Sequence, residues 1–222
     1  MPTLLSGRGH TALLALLATA AVAPAVQAQQ HSRFQVEASL DHTGSTSMSS
    51  VIAEGPTGGF ELDQVEAVRY SLGASALARV APRTSVRFGL SLANRGFTER
   101  TRVSTIEGPE TDERQVDFLY LGVPLTLGYN LVNPRPGLKP FLEAGIIPEL
   151  LVREDESEFE YDLRDTGLSY LVNAGIKYNL EDGRAIILAP EARIAAGNYS
   201  RHRTGALDYR PVTVGLKLGV QF

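Results

Sequence analysis

The chain contains no cysteine among its 222 residues. That excludes a disulfide scaffold, a cysteine-ligated zinc, a thiol nucleophile and a lipidated N-terminal cysteine. Tryptophan is absent too, and there are only two methionines and four histidines. No charge of one sign dominates: 21 Lys and Arg stand against 25 Asp and Glu, a formal charge of −4. A nucleic-acid-binding surface needs a basic excess, so no nucleic-acid partner is expected. The segment Gly55-Pro56-Thr57-Gly58-Gly59 lacks the Lys-Ser/Thr of a nucleotide site, and no His or Cys set has zinc spacing. Beyond Ala28 no apolar run approaches the ~18 residues of a spanning helix. A wholly disordered chain is excluded as well, because 43% of the residues are hydrophobic.

What is present begins with an export signal. Arg8 gives a short positive start, Thr11 to Ala23 is apolar, and Val26-Gln27-Ala28 puts compact residues at the cleavage positions. The apolar run is short for the ~20 residues of a membrane anchor. The expected organisation is a cleaved signal peptide over 1–28 and one mature domain over 29–222.

The mature sequence is dominated by a period of two. Val212, Val214, Leu216, Leu218, Val220 and Phe222 share one face, and Thr213, Gly215, Lys217, Gly219 and Gln221 the other. Strict alternation of this kind marks a strand with two unlike faces. It recurs near residues 33–42, 67–80, 84–95, 117–131, 139–153, 168–180 and 185–197. Eight strands of this length exceed the ~5–6 residues typical of soluble sheets and suit tilted membrane-spanning strands of ~9–11. Their connections alternate. Thr43 to Glu66, some twenty polar residues before 117, Glu154 to Thr166, and Asn198 to Arg210 are long. Ala81-Pro82-Arg83, Asn133 to Gly137, and Glu181-Asp182-Gly183 are short. Short periplasmic turns and long external loops are the habit of outer-membrane barrels.

The polar faces decide between a membrane barrel and a soluble, lipocalin-like ligand-binding barrel. They are small residues interspersed with charges of both signs: Glu37, Arg69, Arg79, Arg87, Glu143, Glu149, Arg153, Lys177, Glu191, Arg193 and Lys217. Eight strands enclose a lumen just wide enough for side chains to fill. A narrow, salt-bridged lumen is therefore expected, with Glu37, Arg69, Arg87, Glu143, Glu149, Lys177, Glu191, Arg193 and Lys217 forming its polar network. Tyr129, Tyr178 and Phe222 are expected at the periplasmic rim, and Tyr70, Tyr170, Tyr199 and Tyr209 at the outer rim, as two aromatic girdles. Pro124, Pro148 and Pro190 fall inside strands, where a closed barrel offers no edge, so bulges or unpaired carbonyls are expected there.

The run Leu121-Gly122-Val123-Pro124-Leu125-Thr126-Leu127-Gly128-Tyr129, followed by a turn and Leu138-Lys139-Pro140-Phe141-Leu142-Glu143-Ala144-Gly145, resembles the small outer-membrane β-barrel domains of the PorT-like type. The architecture is also similar to OmpX and the OmpA barrel. The resemblance covers residues 33–222. It implies an eight-stranded, antiparallel, up-and-down transmembrane β-barrel in the outer membrane of a Gram-negative envelope, and it implies location far more than activity. Phe222 looks like the terminal aromatic recognised by the outer-membrane assembly machinery, although Lys217 stands where that signal commonly has glycine.

Sequence evidence for chemistry is thin. His42 and His202 lie near Ser and acidic residues, the raw material of a lipid-modifying hydrolase, but such pairs are common in Ser-rich loops. The acidic run from Glu154 carries Asp155, Glu156 and Glu158, whose oxygens suit Ca²⁺ or Mg²⁺; it has neither the spacing nor the glycine of an EF-hand, and a solvated loop is the simpler reading. No cofactor is expected. The expected function is non-enzymatic: envelope structure, adhesion or ligand contact through the long loops. A narrow passive channel is the alternative, the porin-like one. Expected partners are outer-membrane lipids with their lipopolysaccharide, and the assembly machinery, with the chain a monomer.

Overall fold

The structure, a computed structural model, describes residues 32–45, 51–55, 58–105, 108–131, 137–154, 161–202 and 208–222. Every regular element among them is a strand. In chain order these are β1 (Ser32–Ser45), β2 (Val51–Gly55), β3 (Gly58–Val65), β4 (Ala67–Arg79), β5 (Thr84–Asn94) and β6 (Phe97–Thr105). Then come β7 (Gly108–Val116), β8 (Phe118–Gly122), β9 (Leu125–Asn130), β10 (Leu138–Glu154) and β11 (Tyr161–Leu163). The last are β12 (Thr166–Asn179), β13 (Ala185–Ala195), β14 (Ser200–His202), β15 (Asp208–Tyr209) and β16 (Pro211–Gln221).

Neighbours in sequence pair antiparallel, and the ends close on each other. β1 pairs with β4, β4 with β5, β5 with the β8–β9 stave, and that stave with β10. β10 pairs with β12, β12 with β13, β13 with β16, and β16 with β1 from Gln35↔Gln221 to Ser45↔Pro211. Counting β8 and β9 as one stave, eight strands form a closed antiparallel barrel with no open edge. Closure removes the unpaired backbone groups that neither lipid nor solvent-free packing could satisfy.

Pro148 is paired in register with Leu168, whereas Pro124 and Pro190 leave gaps in the ladder. Pro124 interrupts its stave between β8 and β9, and the ladder is bridged by Val123 N–H donating to the Pro148 carbonyl at 2.9 Å. Around Pro190 the β12–β13 pairing skips from Asn173↔Glu191 to Ile176↔Leu188 without a change of register. A missing donor therefore opens a gap, not a bulge. The bulge in this wall lies elsewhere, between Leu151 and Arg153 on β10, and it leaves Arg153 exposed, outside the lumen. Arg79 is likewise exposed, at the short-turn end.

Connections expected as polar loops are partly strands. β2, β3, β6 and β7 form a second, four-stranded sheet continuing the barrel wall beyond Glu66 and Arg95. Its register with the barrel is continuous on the β6–β7 side, where Asn94↔Leu119 is followed by Phe97↔Val116. Polar residues form these strands because cross-strand pairs replace an apolar face: Arg100 bonds Glu113 at 2.7 Å and Arg102 bonds Glu61 at 2.9 Å. β11, β14 and β15 make a third, small sheet at the same end. The short turn Glu181-Asp182-Gly183 is a tight hairpin, with Gly183 at φ +85° and Leu180 N–H bonded to the Arg184 carbonyl at 2.8 Å.

The two faces of each stave have opposite polarity. Leu40 and Val68 are each 68% exposed, whereas Arg87 is 2% and Lys217 1% exposed. Leu72, Leu90, Leu127, Val172, Val214, Leu216 and Leu218 continue the exposed apolar band around the wall. A soluble barrel would bury these residues and hydrate the charges. The inverted arrangement, with apolar residues outward over so large a surface, suits lipid. Phe34, Tyr129, Tyr178 and Phe222 are exposed near the short-turn end, and Tyr70 and Tyr170 near the other.

Candidate functional site: a charged lumen under an aromatic cap

Strand alternation aims every second residue inward, so the lumen is built from odd-numbered positions on β1, β4, β5, β10, β12, β13 and β16. At mid-height they meet in one chain of ion pairs. Arg87 Nη1 donates to Glu37 Oε1 at 2.6 Å, and its other end pairs with Glu143. Thr126 Oγ1 donates to the same Glu143 oxygen at 2.6 Å. Gln35 donates to Glu37 at 2.6 Å. Lys217 Nζ lies 3.7 Å from Glu37 and 3.0 Å from Glu191, and Glu191 pairs with Arg193. Arg193 in turn donates to Ser71 at 3.1 Å. The chain Glu143–Arg87–Glu37–Lys217–Glu191–Arg193 thus crosses the barrel from β10 to β13. Mutual pairing is what makes so many charges tolerable in a buried interior.

A second cluster sits toward the long-connection end. Glu149 accepts from Arg95 Nη2 at 2.9 Å, from Ser169 Oγ at 2.8 Å and from the Tyr199 hydroxyl. Arg95 also reaches Thr213 at 3.3 Å. Arg69 donates to the Phe97 carbonyl at 3.0 Å and lies 3.4 Å from Asp117. Above these groups Phe97, Val116, Phe118, Tyr120, Ala195, Tyr199 and Tyr209 pack into a buried cap. Phe97 and Tyr209 have ring centroids 4.7 Å apart, and Tyr120 and Tyr199 4.9 Å.

Of the sequence-predicted lumen residues, Glu37, Arg87, Glu143, Glu191, Arg193 and Lys217 are thus brought together, and Glu149 and Arg69 lie higher. Lys177 stands apart at the short-turn end, its Nζ 4.7 Å from the centre of the Phe141 ring. Arg95 was not singled out, although it closes the 84–95 alternation on the same odd-numbered, inward face as Arg87. Tyr199 and Tyr209 are a correction: both are 1% exposed and turn inward instead of joining the outer girdle. The chain bends inward after Ala195, with Tyr199 N–H bonded to the Tyr209 carbonyl at 2.7 Å, and the Tyr209 hydroxyl then finds the Gly96 carbonyl at 3.2 Å. Aromatic content at a rim does not tell which way the ring points.

The candidate chemical residues are dispersed. His42 faces outward on β1 and pairs with Glu66, and among the described residues no Ser or Thr hydroxyl is bonded to it. His202 lies in β14 opposite Tyr161. Glu154 is the last residue of β10, while Asp155, Glu156 and Glu158 lie outside the described residues. Among the described residues, no three His, Asp or Glu side chains are grouped to hold a metal.

A closed barrel with an apolar exterior, a paired-charge interior and aromatic rims is a transmembrane β-barrel of the smallest kind. The comparison with known families makes this specific. The outer membrane protein beta-barrel domain family matches residues 27–222, and the chain belongs to that family. It is an outer-membrane β-barrel protein. Among solved structures it is similar to Neisserial surface protein A, at 16% identity and a TM-score of 0.50, covering 86% of this chain and 95% of that one. OprG of Pseudomonas aeruginosa is similar at 16% identity and a TM-score of 0.47, with the same coverages. Likeness at this level concerns the fold alone. No curated protein matches the chain.

Proposed function

We propose that this chain is a plugged, non-enzymatic barrel that displays its outer sheet for contact at the cell surface. One observation carries the reading: the lumen is crossed by a continuous ion-pair chain and sealed above it by seven buried residues. A lumen filled in this way leaves the β2–β3–β6–β7 sheet as the part available to a ligand. That sheet is polar and charge-paired, which suits solvent and contact with a hydrated surface. The barrel wall anchors it among outer-membrane lipids and lipopolysaccharide as a monomer. Residues 1–28 act as the cleaved export signal, consistent with a family match that starts at residue 27. Phe222, exposed and bonded through its N–H to the Phe34 carbonyl at 2.8 Å, is the handle for the assembly machinery.

Planar-bilayer recording of the refolded chain tests the plug, and a silent bilayer is expected. Discrete current steps would overturn it and favour the narrow channel. Whole cells carrying the chain, compared with cells carrying a version shortened across the β6–β7 hairpin, test the display role by surface adhesion. Equal adhesion would remove it.

A further inference from the structure

The charges at the short-turn end of the lumen do not balance. The mid-height chain contains three carboxylates, Glu37, Glu143 and Glu191, already engaged by Arg87, Lys217 and Arg193. Below them Lys139 and Lys177 face the lumen, and Arg33 and Arg79 stand exposed at its rim on inward-facing strand positions. Arg33 lies on the inward face of β1, two residues before buried Gln35 and opposite buried Leu77. Lys139 and Lys177 are direct partners across the β10–β12 ladder, so they share the lumen face. Like charges placed directly opposite on adjacent strands repel. Lys177 is 9% exposed and rests over the Phe141 ring at 4.7 Å, a contact that supplies no countercharge. Phe141 packs with Ile187 and Ala189 beside it. Glu143 of the network above attracts the Lys177 ammonium, but that carboxylate is already held by Arg87 and Thr126. Among the described residues, the acids near this rim are Glu181 and Asp182, both exposed in the turn, and Asp182 is held by Arg184 at 2.6 Å.

We propose that the periplasmic mouth of the lumen is a phosphate-binding site formed by Lys139, Lys177 and Arg33. A phosphate group entering from below would lie between the two ammonium groups and relieve their repulsion. The compact lysine charge suits phosphate as a point contact, and arginine adds a forked donor set. The mouth opens toward the periplasm, so the occupant presents its phosphate from that side. Two sources share that chemistry: the headgroup of an anionic phospholipid in the inner leaflet, and free inorganic phosphate. The site lies below the plug and stands independently of the display role.

The test uses the full mature chain refolded in neutral detergent. Inorganic phosphate is titrated against chloride of matched ionic strength, and the heat-induced gel shift reads the unfolding temperature. Vesicles of phosphatidylglycerol and of phosphatidylcholine, without free phosphate, form the second arm. Phosphate-specific stabilisation is expected in at least one arm. A rise with free phosphate assigns the soluble ion, and a rise confined to phosphatidylglycerol assigns the headgroup. Lys177→Gln and Lys139→Gln should each weaken the phosphate response about tenfold or more, as loss of one charge-assisted contact does. Arg83→Gln, in the exposed turn, should leave it unchanged. No phosphate-specific rise in either arm overturns the site, and so does an undiminished response in Lys139→Gln. Because Lys139 is only half-buried, that variant keeps the test sound if Lys177→Gln refolds poorly. Bilayer conductance reads the plug separately.

Discussion

Replacing Arg87 with methionine is the sharpest probe of the lumen. Arg87 is 2% exposed and holds two carboxylates at once, Glu37 at 2.6 Å and Glu143 on its other side, with Thr126 at 3.3 Å from Nε. Methionine fills much of the same volume, so the perturbation is electrical more than steric. It removes two charge-assisted hydrogen bonds, each worth about 1.5–3 kcal/mol. It also leaves two buried carboxylates facing each other. Breaking one partner from a buried pair costs about 3–5 kcal/mol, and the two routes agree. The unfolding constant should therefore rise by about two to three and a half powers of ten. Urea titration of the barrel in vesicles, read by the heat-shift gel, measures this directly. Adding Glu143→Gln to Arg87→Met removes one stranded charge and should restore roughly half of the loss, a coupling of about 1–3 kcal/mol. An Arg87→Met barrel within about 1 kcal/mol of wild type would refute the reasoning, since that is the cost of losing an exposed ion pair.

Leu216 lies midway along β16 and is 54% exposed on the outward face. Leu216→Arg should cost about 2–4 kcal/mol in a bilayer, and a neutral result would mean that this face does not meet lipid. A Cβ on Gly145 would stand 2.2 Å from the Leu125 carbonyl oxygen, so Gly145→Ala must push two staves apart at a cost of about 1–3 kcal/mol. The same urea assay reads it, and an unchanged midpoint would show that the staves are looser than this. In the exposed turn, hydrogen bonds from the Arg184 side chain hold the Asp182 carboxyl below the usual aspartate range. A depressed carboxylate contributes its stability above the ordinary value near ~3.9, and that contribution fades as pH falls through the lower folded value. An NMR titration of the carboxyl carbon should give a midpoint under ~3.9, and one at or above it would show the contact to be absent in solution.

Much of the barrel is legible along the chain because its rule is local. Val212 to Phe222 alternate over their whole length, and β16 spans nearly the same residues. Lys217 and Glu191 could be assigned inward from their neighbours alone, since a strand has only two faces. The extra sheet was not legible for the complementary reason. Thr98 to Arg102 and Thr111 to Gln115 carry no apolar face, and their strand character rests on partners such as Glu61 and Glu113, distant in sequence. Arg95 has the inward parity of its strand, but its partners Glu149 and Thr213 are distant in sequence, so the alternation does not show what it does there.

The sequence by itself determined that there are eight staves, which end of each connection is short, and which residues share a face. These follow from a two-residue period and from turn chemistry, both of which act between neighbours. Only the tertiary structure decided what the inward charges do. Arg87 and Glu143 are 56 residues apart in the chain, and Arg95 and Thr213 are 118 apart. Barrel closure, strand stagger and the inward bend after Ala195 bring them within hydrogen-bonding reach, and no local pattern encodes a distance across the lumen. The same holds for Lys139 and Lys177: each alone is an ordinary charged residue, and only the register of β10 on β12 sets them face to face.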